Sequence, residues 1–414
     1  MKKLLALLVA ALLIVCASLA LAEPVAIKAL ILPKFESGEM ASDFPGEAQY
    51  YYEGYCEGGE SYDIVGCPNP LYVKDGVALC VTGMGKVNSA MTLQAILMDD
   101  RFDFSNAYII STGCAGSAIE YGVMGDVFVI TATVDFDLGH HADARDLTTD
   151  LATTWFHDES YDDASAKLLN QELCEKVFNL VKDVQIETTE KTRAFMAATF
   201  DNADWAIRDP KVLRGTTVTA DNYWKGMHDH ANALLMTETY GCPDPYALTE
   251  MEDHAMSVVL DRLGMLDRYI IIRDSVNTDV FMNGASPESL WDPNFVDSLA
   301  SESSVESADI FATAMKNNFT VGHVVIDAIL NGELLSVFLA GEIFSPAQFI
   351  DISKLGLNSK IKKFSYSFIC GKGYSPPFGG RIAFCLQSGS ERFSLRLFLC
   401  PESSASRAKT ARGV

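Results

Sequence analysis

The chain has 414 residues, 49% of them hydrophobic, enough for a sizeable core in one large domain or two ordinary ones. Its formal net charge of −23 argues against a nucleic-acid backbone or an anionic membrane surface as partner. That charge is uneven: residues 335–414 carry 11 Lys and Arg against 4 Asp and Glu, a net of +7, which leaves −30 for residues 1–334.

The chain opens MKKLLALLVAALLIVCASLALAEP, with two lysines, a long apolar run and the small-x-small sequence Ala20-Leu21-Ala22. This pattern predicts a secretory signal peptide over residues 1–22 and a mature protein that is extracytoplasmic, periplasmic or secreted. An uncleaved membrane anchor is the alternative reading, because the apolar run approaches spanning length. Val15 before Cys16 disfavours a lipid attachment site, and no other segment reaches ~18 uninterrupted apolar residues. In an oxidising compartment Cys56 and Cys67, flanking EGGESYDIVG, are the expected disulfide pair, whereas Cys80 in a strand-like run reads as a buried thiol. No Cys/His cluster has zinc spacing, His140-His141 alone is weak evidence for a site, and no metal or cofactor is expected.

Short β-branched runs then follow in order: VAIKALIL, VALCVTGM, NAYIIST, VFVITATV, VLRGTTVTA and YIIIRDSV. Helical patterns such as NSAMTLQAILMDD and MSVVLDRLGML lie between several of them. Near-continuously apolar strands alternating with helices predict an α/β single domain over residues 23–334, with a central, mainly parallel mixed sheet flanked by helices. In such folds ligands sit at the carboxyl ends of strands. The tail, 335–414, has no sustained helical or strand period. It reads either as a small basic domain or as sequence outside the fold, disordered or frame-shifted, and no function is placed there.

The strand ends carry small or polar turns. Thr82-Gly83-Met84-Gly85-Lys86-Val87-Asn88 opens a helix, and its glycines allow a tight turn and close backbone approach, although G-x-G-K lacks the spacing of a phosphate loop. Ser111-Thr112-Gly113-Cys114-Ala115-Gly116-Ser117 leaves room for a flat ligand, or simply packs a strand closely on a helix. Asp221-Asn222-Tyr223-Trp224 places two aromatics where a strand ends, as core caps or as a stacking face. From ALTEMEDHAMSVVL, residues 247–260, into the following DRL, Met256, Val259, Leu260 and Leu263 recur at helical spacing, and Asp253, His254, Ser257 and Asp261 read as the solvated face. Glu252 falls at the head of the apolar stripe, where a carboxylate is costly unless paired. It is either a helix-end acid or a group holding ligand hydroxyls. Arg273-Asp274-Ser275-Val276-Asn277 ends the last strand with polar groups.

Taken in order, these motifs resemble the nucleoside phosphorylase/nucleosidase superfamily and, within it, the purine nucleoside permease family, over roughly residues 25–333. GMGKVNSAM, STGCAGS with GVMGDVFVITATV, TADNYW, TEMEDHA and IIIRDSVN carry the superfamily likeness, while DFDLGHHADARD and LILPKFESGEM resemble the permease-type family more narrowly. The resemblance implies that Glu252, with Met251 and Glu250, binds ribose, and that Tyr223 and Trp224 meet the base beside Cys114, Ala115 and Gly116. It implies that Asn277 donates to the leaving purine, with Asp274 and Asp279 as nearby acids, and that Glu39, or second Glu36, orients water. The expectation is a purine nucleosidase releasing base and ribose. The alternatives are a nucleoside-binding protein supporting uptake through a membrane transporter, and a purine nucleoside phosphorylase, for which Arg193, Arg208 and Arg214 sit on no motif turn. A homodimer is left open as a further partner.

Overall fold

The computed structural model describes residues 23–146, 153–199, 208–280, 305–334, 381–389 and 392–400. The expected signal segment, residues 1–22, lies outside them. Contacts divide the chain into Met1–Glu342 and Ile343–Val414. The second unit contains an antiparallel pair, Arg381–Gly389 with Arg392–Cys400, although no sustained strand period marks this tail in the sequence.

The first unit is built on one ten-stranded sheet. Its strands are β1 (Ala29–Leu32), β2 (Glu60–Tyr62), β3 (Leu71–Lys74), β4 (Val77–Leu79), β5 (Tyr108–Ser117), β6 (Val127–Asp135), β7 (Ala166–Leu168), β8 (Val212–Thr219), β9 (Tyr246–Glu250) and β10 (Tyr269–Thr278). The helices that matter for the site are α1 (Lys86–Leu97), α2 (Gln171–Val181), α3 (Glu190–Thr199), α4 (Met227–Thr239), α5 (Asp253–Leu263) and α6 (Val305–Leu330). No described helix is long and apolar enough to cross a membrane.

The period of two along the strands sorts their side chains into two cores. Leu30, Leu32, Ile109 and Ile271 join Leu93 and Ile96 of α1 and Met256 and Leu260 of α5. Ala29, Ile31, Ile110, Ile270 and Ile272 join Val177 of α2 and Val321 and Val325 of α6. Both faces are therefore covered, which explains why the strands read as continuous apolar runs.

The mixed α/β class is as expected, but the sheet is not the mainly parallel one predicted. β10 runs parallel along β5, from Tyr269 opposite Ile109, and antiparallel to β6, with Arg273 opposite Phe128. Because β6, β8, β9 and β5 are paired in that order, β10 closes a barrel-like ring of five strands. Half of the sheet's strand pairings are parallel and half antiparallel. A register shift between Ser275 and Asn277 leaves Val276 as an extra residue, re-aiming the end of β10 just where it reaches the cleft.

Helix α5 corrects a second expectation. Asp253, His254 and Ser257 are buried rather than solvated, and only Asp261 of that set is exposed. The helix is wedged between α1 and the sheet, so its polar face needs internal partners. His254 lies 2.7 Å from the Ala164 carbonyl and 3.2 Å from the Thr133 hydroxyl, and Ser257 donates to the Asp253 carbonyl at 2.9 Å. Asp253 faces Arg273.

Candidate active site

Loops at the ends of β1, β5, β8 and β9 and the bulged end of β10 enclose a cleft of about 110 Å³. Glu250, Met251, Glu252, Tyr223, Trp224, Cys114, Ala115, Gly116 and Asn277 all line it, so the structure brings together most of the residues singled out in the sequence. Glu39 and Asp274 do not line it. Glu39 is exposed, and its backbone N–H donates to Asp43 at 3.0 Å. Asp274 points to the opposite face of β10, where its carboxylate accepts from Asn318 Nδ2 at 2.8 Å. Asp279 is buried against His230 and Tyr246.

The centre of the site is Arg273, a fully buried side chain inside an apolar strand. Its Nε and Nη2 each donate to Asp253 at 2.9 Å, Nη2 also faces Glu252 at 3.0 Å and Glu250 at 3.3 Å, and Nη1 donates to the Cys114 carbonyl at 3.0 Å. One guanidinium thus serves three carboxylates, a use suited to its planar fork. Burial raises the Asp253 carboxyl, but Arg273 and Lys34 outweigh it and hold the group below the usual range. Glu250 is pushed up to about 7, first by burial and then by the charge of Asp253. Its Oε2 accepts the N–H groups of Glu252 at 2.6 Å and Asp253 at 2.8 Å, closing the start of α5. Glu252 Oε1 accepts from the Gly85 N–H at 2.9 Å. The glycine turn therefore abuts the carboxylate rather than a ligand phosphate.

Lys86 of that turn is also committed, to Asp135 at 2.6 Å and Asp137 at 2.7 Å. Lys34 is buried, and its ammonium donates to the Leu32 carbonyl at 2.6 Å, the Ser111 hydroxyl at 2.6 Å and the Thr112 carbonyl at 3.1 Å. All three of its donors are used. Burial, then Arg273, brings its ammonium down to about 8.

Glu47 was not singled out in the sequence, yet it lines the cleft. Its Oε2 accepts the Lys34 N–H at 2.7 Å and its Oε1 the Cys114 N–H at 2.9 Å. Gly113, at φ +143°, makes room for it: a Cβ there would lie 2.5 Å from the carboxylate. Burial raises the Glu47 carboxyl, with Arg273 and Lys34 opposing. Glu36 sets up the approach by accepting the N–H groups of Ala48 at 2.9 Å and Gln49 at 2.6 Å. The only sequence signal was an acid among small residues in PGEAQ.

On the other side, Tyr223 is 62% exposed at the mouth, whereas Trp224 is buried and stacked on Phe136 at 5.1 Å and 18°. Asn277 Oδ1 closes on Gly116, where a Cβ would come within 2.6 Å. The Cys114 thiol is pushed well up by burial and then by Glu47, which favours the neutral thiol. Arg193, Arg208 and Arg214 lie outside the cleft, paired with Asp209, Asp126, and both Glu175 and Asp244. Cys56 and Cys67 do not pair: both are free thiols, the Cys56 sulfur faces the Tyr72 carbonyl at 3.8 Å, and Cys67 neighbours Cys80. Among the described residues there is no cluster able to hold a metal ion.

A family model described as purine nucleoside permease (NUP) matches residues 26–333. A probable purine nucleoside permease of Schizosaccharomyces pombe is 27% identical over 224 residues, covering 48% of this chain and 63% of the relative. The purine nucleoside permease of Candida albicans is 24% identical over 212 residues, covering 46% of this chain and 52% of the relative. The chain thus spans between half and two thirds of these relatives. Among solved structures, a 5′-methylthioadenosine/S-adenosylhomocysteine nucleosidase from Neisseria meningitidis aligns at TM-score 0.44 and 16% identity, covering 73% of this chain and 99% of that one. The futalosine hydrolase of Helicobacter pylori aligns at TM-score 0.44 and 14% identity, covering 73% and 98%.

Proposed function

The chain belongs to the purine nucleoside permease family, and on that footing we propose that it is an extracytoplasmic purine nucleosidase, cleaving the N-glycosidic bond of a nucleoside to free base and ribose. The observation that carries the reading is the Glu47 carboxylate, fixed by two backbone N–H groups at the wall of a cleft that also holds Glu250 and Glu252. In this reading Glu252 accepts hydrogen bonds from the ribose hydroxyls, with Met251 against the sugar. Glu47 takes a proton from water as the water oxygen bonds to C1′. The C1′–N bond breaks, its electron pair leaves with the base, and Asn277 donates a hydrogen bond to that developing anion. The carboxylates favour the positive charge that gathers on the sugar.

Phosphorolysis fits less well, because a phosphate dianion needs converging cations. Of the two described cations that line the cleft, Lys34 directs all three of its donors to protein acceptors, and Arg273 turns its Nε and Nη2 to carboxylates and its Nη1 to the Cys114 carbonyl, so both are already engaged amid four carboxylates. A second reading, a nucleoside-binding protein that supports uptake through a transporter, is favoured by the names of the curated relatives. The test is to incubate the mature protein with adenosine, inosine and guanosine, with and without phosphate, and measure free base. Phosphate-independent release supports the nucleosidase, release only with phosphate overturns it, and tight binding without turnover favours the binding protein. N-terminal sequencing of exported protein, expected to begin at Glu23, tests the location.

A further inference from the structure

Beside the cleft lies a buried group that this chemistry does not use. His230, on the first turn of α4, is 1% exposed and places both ring nitrogens against carboxylates: Nδ1 is 2.6 Å from Asp279 Oδ2 and Nε2 is 2.9 Å from Glu120 Oε2. The Nδ1 contact has hydrogen-bond geometry, whereas the Nε2 contact is an ion-pair distance without it, and a neutral imidazole, with one N–H and one lone pair, would leave one of these nitrogens unprotonated beside a carboxylate. With both nitrogens protonated, both contacts are attractive.

Asp279 is where the base-side segments meet. Its N–H donates to the Ser117 carbonyl at 3.0 Å, next to Gly116, and its carbonyl accepts the Gly226 N–H at 2.9 Å, two residues beyond Trp224. It follows Asn277 by two residues. Its carboxylate also accepts from Tyr246 OH at 2.9 Å, while Oδ1 is buried with no hydrogen-bond partner. His230 ties the same corner again through its own N–H to the Gly226 carbonyl at 2.9 Å. We propose that His230, as an imidazolium bridging Asp279 and Glu120, is a positioning residue for base recognition, holding the Gly116, Trp224 and Asn277 segments in register. The proposal rests on the nucleosidase reading of the cleft.

The groups facing His230 are Asp279 at the end of β10, Tyr246 on β9 and Glu120 beyond β5, with His228 and Asp229 flanking it on α4. Burial lowers the imidazole, but Asp279 and Glu120 outweigh it and raise the group above its usual value. The clamp is therefore complete below the ordinary histidine range and is lost as pH rises through the higher value in the folded protein.

The test uses the full mature protein, titrated with adenine, hypoxanthine and guanine between pH 6 and pH 9, and tryptophan fluorescence of the unliganded protein with W224F as the control that assigns the Trp224 signal. We expect the dissociation constant of the bound base to rise about tenfold across that range, to be weak and flatter in H230Q, and to coincide with a Trp224 transition. In turnover, H230Q raises KM far more than it lowers kcat. Lys34 and Glu250 also titrate near this window, so the difference between wild type and H230Q is the quantity that decides. E120Q, which alters only an exposed carboxylate, is expected to move the Trp224 midpoint to lower pH and keeps the test valid if H230Q folds poorly. Identical pH profiles in wild type, H230Q and E120Q, with purine bound throughout, would overturn the proposal and leave the nucleosidase reading standing. If no purine binds or turns over at any pH, the nucleosidase reading fails, and the base-recognition role fails with it; a Trp224 transition in that case would still mark the clamp itself.

Discussion

The sharpest consequence of the geometry concerns Glu47→Gln. The carboxylate accepts two buried backbone N–H groups, one on each oxygen, at 2.7 and 2.9 Å. Glutamine can accept only one of them and turns its own NH₂ towards the other, leaving a buried donor unmet at a cost of about 1–3 kcal/mol. For a domain of this size that lowers the melting temperature by roughly 2–4 °C per kcal/mol, enough to measure without unfolding the protein at 25 °C. If Glu47 is the general base proposed above, its loss should separately reduce kcat by about 10²- to 10⁴-fold, or roughly 3–5 kcal/mol of barrier. The assay is base release from saturating inosine, followed by chromatography, beside a thermal melt and calorimetric binding of the same nucleoside. Binding should change far less than turnover. A variant that melts as expected but retains turnover within about threefold, well short of the loss of a general base, would show that Glu47 does not activate water. A variant that melts as wild type would show that the carboxylate does not carry both N–H groups.

Three other outcomes can be checked in the same preparation. Glu252→Gln should raise KM at least tenfold and lower kcat, with a modestly lowered melt, since the Gly85 N–H can still be accepted while an NH₂ replaces the oxygen facing Arg273, whose Nη2 keeps Asp253 and Glu250; unchanged kinetics would reduce Glu252 to a helix-end charge. Glu250 sits at about 7 in the folded protein against 4.5 in the free side chain, so the folded state holds the extra proton between those values. Its contribution to stability is complete below about 4.5 and is lost as pH rises through about 7, and Glu250→Gln should flatten the pH dependence of the urea midpoint across that window. An unaltered slope would mean that another group carries it. Gly113→Ala puts a Cβ 2.5 Å from the Glu47 carboxylate at a φ that side chains rarely adopt. It should cost about 2 kcal/mol or more in urea unfolding and lose turnover in parallel, whereas a neutral result would contradict the cradle.

The parts of the molecule legible in the sequence were those governed by local rules. Period-two and period-3.6 runs marked the main strands and helices, small residues marked the turns around Gly85 and Gly113, and the placement of Glu252 at the head of an apolar stripe marked a paired carboxylate. What escaped depends on pairings distant in sequence. Nothing local in YIIIRDSVNT reveals that β10 meets both β5 and β6, which makes the ring, and nothing periodic in PGEAQ marks Glu47. Glu39, the residue nearest by motif, lies in an exposed loop, while Glu36 organises the backbone that delivers Glu47. The solvated face assigned to α5 failed because helical spacing gives which residues share a face, not whether that face meets water. There was a missed signal: an arginine after three isoleucines must be buried, and a buried guanidinium requires acids close by. Asp253 was available for that role in the sequence.

That pairing also bears on what the cleft can do. Lys34 and Arg273 are set against Glu47, Glu250, Glu252 and Asp253, so the site is net negative when all are ionised. Burial raises Glu47 and Glu250 and lowers Lys34, each towards its neutral form. Taking up a proton relieves the repulsion, and so does a positive charge that develops only in the reaction. Under the proposed nucleosidase chemistry, a sugar cation would meet this field favourably as C1′ loses its base. Under the same proposal a phosphate dianion would meet this field as a fifth negative group, opposed by cations already engaged with carboxylates and carbonyls, which is why the proposal takes water as the nucleophile.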